Sequence, residues 1–321
     1  MTSADQRAEL LGRLDQLVAR RRMPRLERLL SHPFATVANS VAMRAFNLLF
    51  SFGRSCRREV ETFFGDRMII VVPSWYGEVY CYGATVDADA EVRLNKFLLR
   101  ELAEGAVFFD VGACLGYFSL LASTIVGPAG RVHTFEPSPS LLPLLRRNVS
   151  GKPNVQVVGK ATSKASGSTQ FHIAPLPFIG TSSLRADWQA GLAADGQTRK
   201  TELVTVETVS LDDYCYSAGV FPDVIKLDVE GVEDDVLIGS ERLLRDKAPI
   251  LVLEVFTPLI ESDRKALQIL RGLGYGPYAI QEDGRLKALD YDALDPYLAE
   301  LKARYRVIQD SINDFDNMVF K

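Results

Sequence analysis

Cysteine is scarce in this chain, and the four that occur, Cys56, Cys81, Cys114 and Cys215, are widely spaced with no Cys-x-x-Cys pair. That spacing argues against a zinc knuckle and a redox dithiol. Histidine is rarer still. His32, His133 and His172 are scattered, and neither His133 nor His172 has a nearby Asp or Ser pattern of the kind a catalytic triad needs. No apolar run reaches the length of a membrane-crossing helix, and there is neither an internal repeat nor a low-complexity tract. The opening segment MTSADQRAELLGRLDQL lacks the apolar core of a signal peptide, so a cytoplasmic location is the expectation. What is present is 321 residues, 47% hydrophobic and 24% charged, enough for one large α/β domain and an appendage.

Charge is unevenly placed. Residues 1–60 hold eleven arginines against five acids, a net +6, which leaves −10 on the remainder of a chain whose total is −4. An acidic body excludes a nucleic-acid groove as its main surface, because phosphate binding wants net positive charge. The apolar positions Leu10, Leu11, Leu14, Leu17 and Val18 predict a helix over 4–22 that Pro24 stops, and residues 34–52 predict a second, more apolar one. The expected division is therefore a helical module at 1–60 and a catalytic domain at 61–321. The module is read as a packing element or the seat of a homo-oligomer. A membrane-surface helix is the lesser reading, and membrane contact is not expected.

Further on, residues 66–83 read as two strands joined around Pro73–Gly77, and 87–104 as a helix. Apolar strands at 107–111, 131–136, 154–159, 222–231 and 248–255 alternate with helical patterns that include 233–244 and 258–273. That alternation predicts an α/β fold: a mostly parallel sheet with helices on both faces. Residues 169–173 and 202–209 read as an extra hairpin or strand pair. The stretch between them, 174–200, is rich in Pro, Gly, Ser and Ala and has the length of a substrate loop or lid. The C-terminal segments YGPYAI, YRVIQD and DNMVFK are candidate antiparallel edge strands.

Residues 107–119, VFFDVGACLGYFS, carry the most information. An apolar strand ends in Asp110, a turn follows with Gly112 and Gly116, and a helix begins near Tyr117. The glycines stand where a backbone must approach a ligand closely, and the helix N-terminus presents free N–H groups. The spacing is D-x-G-x-x-x-G, not the dinucleotide fingerprint. Glu136 closes the next strand, about 20 residues past the loop, where a carboxylate accepts hydrogen bonds from ribose hydroxyls. Ser138 is read as the N-cap of the following helix, with Pro139 at its first position. The candidate cofactor contacts are Asp110, Gly112, Ala113, Gly116, Tyr117, Glu136, Ser138 and Asp228.

Ligands of open α/β sheets bind at the carboxyl ends of the strands, where Asp110, Glu136, Asp228 and Glu254 all fall. Strand alternation puts Lys226, Asp228 and Glu230 on one side. Asp228, then Glu230 or Lys226, are the candidates for taking a proton from an acceptor. The competing reading has Asp228, Glu230 and Glu254 holding Mg²⁺. Cys114, inside the glycine loop, reads as a small apolar filler rather than a reactive thiol. Trp75, Tyr80, Tyr82 and Trp188 are candidates for lining an acceptor pocket, and Thr181, Ser182 and Ser183 for touching the acceptor.

DVGACLGYFS and VIKLDVEGVEDDVLIGSERLL resemble the two signature segments of FkbM-type methyltransferases, and GTSSL (180–184), VETVSLDDY (206–214) and LVLEV resemble further segments of that family. The resemblance covers roughly residues 65–275 and leaves out the N-terminal helices. It implies a Rossmann-like class I methyltransferase sheet and S-adenosylmethionine as cofactor. It also implies methylation of a hydroxyl on a small molecule, a sugar or secondary metabolite of natural-product biosynthesis. Cys114 stands where such loops often carry Asn. The rivals are a nicotinamide oxidoreductase, disfavoured by the missing fingerprint, and a non-catalytic scaffold that binds cofactor, a partner or a membrane surface.

Overall fold

The computed structural model describes residues 3–321 apart from 53, 75, 87–88, 176–178, 186–200, 257–258 and 307–314. The chain opens with α1 (Ser3–Arg22), α2 (Arg25–Ser31) and α3 (Pro33–Ser51). A hairpin follows, β1 (Cys56–Glu61) and β2 (Arg67–Val72), then α4 (Gly77–Tyr82) and α5 (Asp89–Glu101). The first half of the main sheet is β3 (Val107–Val111), α6 (Tyr117–Val126), β4 (Arg131–Phe135), α7 (Leu142–Val149) and β5 (Val155–Val158). A small sheet comes next, from β6 (Ala161–Thr162), β7 (Gly167–Ile173) and β8 (Glu202–Val209), then α8 (Leu211–Ala218). The second half is β9 (Val224–Leu227), α9 (Glu233–Ile238), α10 (Glu241–Lys247), β10 (Ile250–Phe256) and α11 (Glu261–Gly272). It ends with β11 (Pro277–Ile280), β12 (Leu286–Ala288), α12 (Leu294–Arg306) and β13 (Phe315–Phe320).

The eight-stranded sheet runs β12-β11-β13-β10-β9-β3-β4-β5. Its strands β10, β9, β3, β4 and β5 are parallel. The chain leaves β3 toward β4 and β5 on one side and later returns to place β9 and β10 on the other. The crevice between β3 and β9 is thus the switch point at which ligands of such sheets bind. Successive side chains of β3 face opposite layers: Phe108 is buried in one hydrophobic cluster and Phe109 in another. The sheet is covered on both faces, as the continuous apolar strands require.

Several expectations are corrected. The segment after Pro73 is the helix α4 rather than a strand, and the partner of β2 is β1, upstream. The helix after β4 starts at Leu142 with Pro143 in its first turn, so Ser138 is not its N-cap. Residues 233–244 form two helices. They part at Gly239, where any Cβ would come within 2.2 Å of Ser163 O. The C-terminal strand β13 is not an edge; it inserts antiparallel between β10 and β11. In YRVIQD the first two residues end α12, and the rest lies outside the described residues. Leu10, Leu14, Val18 and Phe46 are buried in the same cluster as Phe97 and Phe108. The N-terminal helices therefore share the main core, and β1 runs across residue 60. Among the described residues no helix is long and apolar enough to cross a membrane.

β13 is anchored by a buried ion pair, Arg93 of α5 to Asp316, at 2.5 Å with side chains 7% and 1% exposed. Tyr297 OH donates to the other carboxylate oxygen at 3.0 Å. Truncating Arg93 would leave a buried carboxylate without its counter-charge. Arg93→Ala should therefore cost about 3–5 kcal/mol in denaturant unfolding; a loss under about 1 kcal/mol, the scale of exposed pairs, would show that the pair does not hold the strand.

Candidate active site

The glycine loop is built from two close approaches. Gly112 has φ +87°, and a Cβ there would lie 1.8 Å from Asp228 O, so no side chain is admissible. Its N–H and that of Ala113 both donate to Phe135 O, at 3.0 and 2.9 Å, which ties the loop to the end of β4. Gly116, φ +86°, opens α6 and lies against Leu145 of α7. Cys114 adopts φ +52°, the left-handed region that Asn tolerates better than most residues. Burial raises its thiol far above the ordinary range, with Glu136 adding to the effect and Tyr76 opposing it through a hydrogen bond. Such a thiol is a packing group, not a nucleophile.

Glu136 is held by two backbone donors, Ser138 N–H at 2.8 Å and Cys114 N–H at 2.9 Å. Burial pushes its pKa up to about 7 against those two bonds. Asp110 is 1% exposed; Oδ2 accepts from Ser119 Oγ at 2.6 Å, whereas Oδ1 is buried with no hydrogen-bond partner. Burial raises this carboxyl too, with Lys226 and Ser119 opposing.

Across the switch point, Asp110 stands beside Lys226 in the β3–β9 register. Lys226 is 3% exposed, donates from Nζ to Asp228 Oδ2 at 2.7 Å, and lies 5.1 Å from the centre of the Phe118 ring. Burial depresses its ammonium, but Asp228, Asp110 and Glu91 outweigh that and leave its pKa raised. Lys226 therefore stays cationic at neutral pH, which argues against it as a proton acceptor. Carboxylate oxygens of Asp228, Glu230 and Glu254 lie within 4.8 Å of one another. Burial, then Asp228 and Glu230, raise Glu254 well above the carboxylate range. Glu230 has φ +59°, a conformation that costs a non-glycine residue about 1–3 kcal/mol. Its carbonyl accepts from Ser183 Oγ at 2.6 Å. Glu233 Oε1 accepts from Val229 and Gly231 N–H and so ties the turn after Asp228.

These groups face one cavity of about 600 Å³. Of the expected residues, Asp110, Gly112, Ala113, Tyr117, Glu136, Lys226, Asp228, Glu230 and Glu254 line it. Gly116 shapes the turn without lining the space. Ser138 does not line it either: it is fully buried, its Oγ pairing with Ser140 and its N–H orienting Glu136. Tyr80 packs on Phe46 instead, and Tyr82 lines a separate cavity near Arg28. Trp75 and Trp188 lie outside the described residues, as does most of the expected lid. Its described part, with Gly180, Ser182 and Leu184, lines the cavity, and Ser183 ties it to the turn after β9.

Sequence reasoning missed Glu91 of α5, Tyr76 and Phe118, all in the cavity wall. Burial raises Glu91 to about 7, with Lys226 opposing and Asp228 adding. In the sequence Glu91 is an acid in the first turn of a helix, where its ordinary use is to complement the helix dipole, so nothing marks it.

Glycine loop, strand-end carboxylate and switch-point cavity meet in one place in this α/β protein, the position at which open α/β sheets bind their ligands. Residues 110–277 match the Methyltransferase FkbM domain, and the chain belongs to that family. Curated relatives align with it, among them the following two. Hexuronic acid methyltransferase AglP of Haloferax volcanii is 28% identical over 168 residues, 52% of this chain and 63% of that protein. The 2-O-methyltransferase NoeI of Sinorhizobium fredii is 28% identical over 127 residues, 36% of this chain and 50% of that protein. The chain thus spans 63% and 50% of the length of these two relatives. Among solved structures, Methyltransferase FkbM from Methylobacillus flagellatus KT is similar at a TM-score of 0.38 and 16% identity, covering 67% of this chain and 54% of that one.

The raised carboxyls make a testable pH dependence. Glu91 and Glu136 have folded pKa values of about 7 against a reference of 4.5, so the folded state binds more protons than the unfolded state between those values. Stability should therefore fall as pH rises through that window. Thermal melts of the unliganded protein at pH 5, 6, 7 and 8 read this directly; a melting temperature that climbs across the series would contradict it.

Proposed function

We propose that the protein transfers a methyl group from S-adenosylmethionine to a hydroxyl of a small molecule, a sugar or a secondary metabolite. The observation that carries this reading is the convergence of the glycine loop, the Glu136 carboxylate and the Lys226–Asp228 pair on one cavity. About 600 Å³ lies within the range of small-molecule sites. The residues fit the cofactor. Glu136, already oriented by two N–H donors, has lone pairs left for ribose hydroxyls. Asp110 Oδ1 is a buried acceptor awaiting a donor such as an ammonium group. When bound, S-adenosylmethionine supplies an electrophilic methyl group.

The rest is the protein's own work. The cavity walls would hold the acceptor against the cofactor, and positioning of that kind is a large share of catalysis. Asp228 is the group placed to accept the hydroxyl proton, with Lys226 as the fixed cation beside it. Burial, then its acidic neighbours Asp228 and Glu230, raise Glu254 and favour its protonated form, which relieves repulsion inside the trio. The similarity to a hexuronic acid methyltransferase and to a 2-O-methyltransferase supports a hydroxylated acceptor. A second reading, in which Asp228, Glu230 and Glu254 hold Mg²⁺, draws on the convergence of those oxygens. The Lys226 ammonium already serves Asp228, and it disfavours a second cation there.

Calorimetry with S-adenosylmethionine, S-adenosylhomocysteine and NADH tests the cofactor. Micromolar binding of the first two, lost in Asp110→Ala, is expected; binding of none by folded protein would sink the proposal. With an acceptor in hand, Asp228→Asn should lower kcat by about 10²–10⁴ with little change in cofactor affinity, the magnitude of a lost general base. Activity should survive EDTA within about twofold, because Lys226 supplies the local positive charge; a loss restored by Mg²⁺ would favour the metal reading.

A further inference from the structure

Helix α3 is turned with its polar side inward. Asn39 Nδ2 donates to Cys81 O at 3.2 Å, and Thr36 Oγ1 to Arg28 O at 3.0 Å. Thr36, Asn39 and Ser40 line a cavity of about 270 Å³ with Arg20, Arg21 and Arg28. Phe46, on the same side, stacks edge-on against Tyr80 at 5.0 Å. Three contacts, two hydrogen bonds and a ring stack, thus set the rotation of the helix about its axis.

The consequence is an apolar outer stripe. Phe34, Val37, Val41, Leu48 and Phe52 recur at helical spacing and all stand exposed, Phe34 at 90% and Phe52 at 71%. Ala38 and Ala45, also exposed, fill the stripe between them. Leu26 and Leu30 of α2 extend the apolar surface. Nine of the eleven large hydrophobic side chains exposed among the described residues lie between 26 and 52. A face of this kind marks an interaction surface.

Charge selects the occupant. Residues 23–58 carry six arginines and a single acid, Glu27, in a chain whose total is −4. Arg25, Arg44, Arg54, Arg57 and Arg58 are exposed. A second copy docked here by two-fold symmetry would set this basic stretch against itself, and like charges across an interface are unfavourable. An anionic lipid surface satisfies both features at once: apolar side chains enter the headgroup–acyl boundary while arginines meet the headgroups. α3, about 28 Å long at 1.5 Å per residue, would lie in the interface plane rather than cross it.

We infer that the α2–α3 face docks the protein on an anionic membrane surface. The inference stands apart from the methyl-transfer proposal, and cofactor binding measured on the same preparations separates the failure of one from the failure of the other.

The test is co-sedimentation of the full chain with vesicles of phosphatidylcholine alone and with about 30% phosphatidylglycerol, at low and high salt. Partitioning at least about tenfold stronger onto the anionic vesicles and weakened by salt is expected. Val41→Asp, in the middle of the exposed stripe, should reduce it about tenfold or more while the melting temperature holds. Phe34→Ser with Phe52→Ser provides a second variant that adds no charge and should act in the same direction. No partitioning onto anionic vesicles would overturn the inference. So would unchanged partitioning in both variants, or a solution dimer that Val41→Asp splits in a protein that ignores vesicles.

Discussion

One close approach organises the molecule: backbone against backbone at the switch point, where Gly112 meets the carbonyl of Asp228 with no room for a Cβ. Two loops of the cavity wall, 110–116 at the end of β3 and 228–233 after β9, pack directly on each other here. Asp110, Ala113, Asp228 and Glu230, which line the cavity, hang from these two loops, while Glu91, Glu136 and Glu254 reach it from other elements. The approach requires the glycine, the positive φ and the β3–β9 pairing together. A change in any of them moves Asp110 and Asp228 relative to each other.

The electrostatics follow from the same geometry. The loops bring Asp110, Asp228, Glu230 and Glu254 to neighbouring strand ends, and Glu91 and Glu136 join the wall. One buried lysine stands among them. Lys226 is therefore the counter-charge of the site, held cationic by its neighbours. The carboxyls that it does not neutralise are raised by burial, and Glu91, Glu136 and Glu254 hold their protons above the ordinary range. A cavity of this acidic composition favours positive charge brought into it, which is consistent with the proposed cofactor.

The parallel sheet, the glycine loop and the strand-end acids were legible because each is a local pattern: an apolar run, a fixed glycine spacing, a carboxylate where the run stops. What was not legible depends on distance along the chain. Glu91 enters the wall from a helix preceding β3, and its position in the first turn has an ordinary explanation. Ser138 looked like a cap because Ser-Pro opens many helices. Its N–H was instead taken by Glu136, and the helix waited until Leu142. The segment GEVYCY alternates too weakly to separate a strand from a short helix. The left-handed conformation of Gly83 then ends it as a helix C-cap. DNMVFK was recognised as a strand but misplaced, because the partner that draws it inward, Arg93, lies more than 200 residues away.

Helix α3 shows the same limit from the opposite side. Its periodicity announces one apolar and one polar face, and the natural assumption turns the apolar face to the core. That assumption fails where the neighbouring surface is itself polar. The wall opposite α3 contains three arginines, the Cys81 carbonyl and the Glu78 carboxylate. Burying Phe34 or Val41 against these groups would strip them of partners, at a cost comparable with the gain from the apolar area. Turning Thr36, Asn39 and Ser40 inward satisfies that wall and leaves the apolar stripe to whatever lies outside the protein. The orientation is thus decided by the polar side of the helix, and the exposed stripe is the consequence.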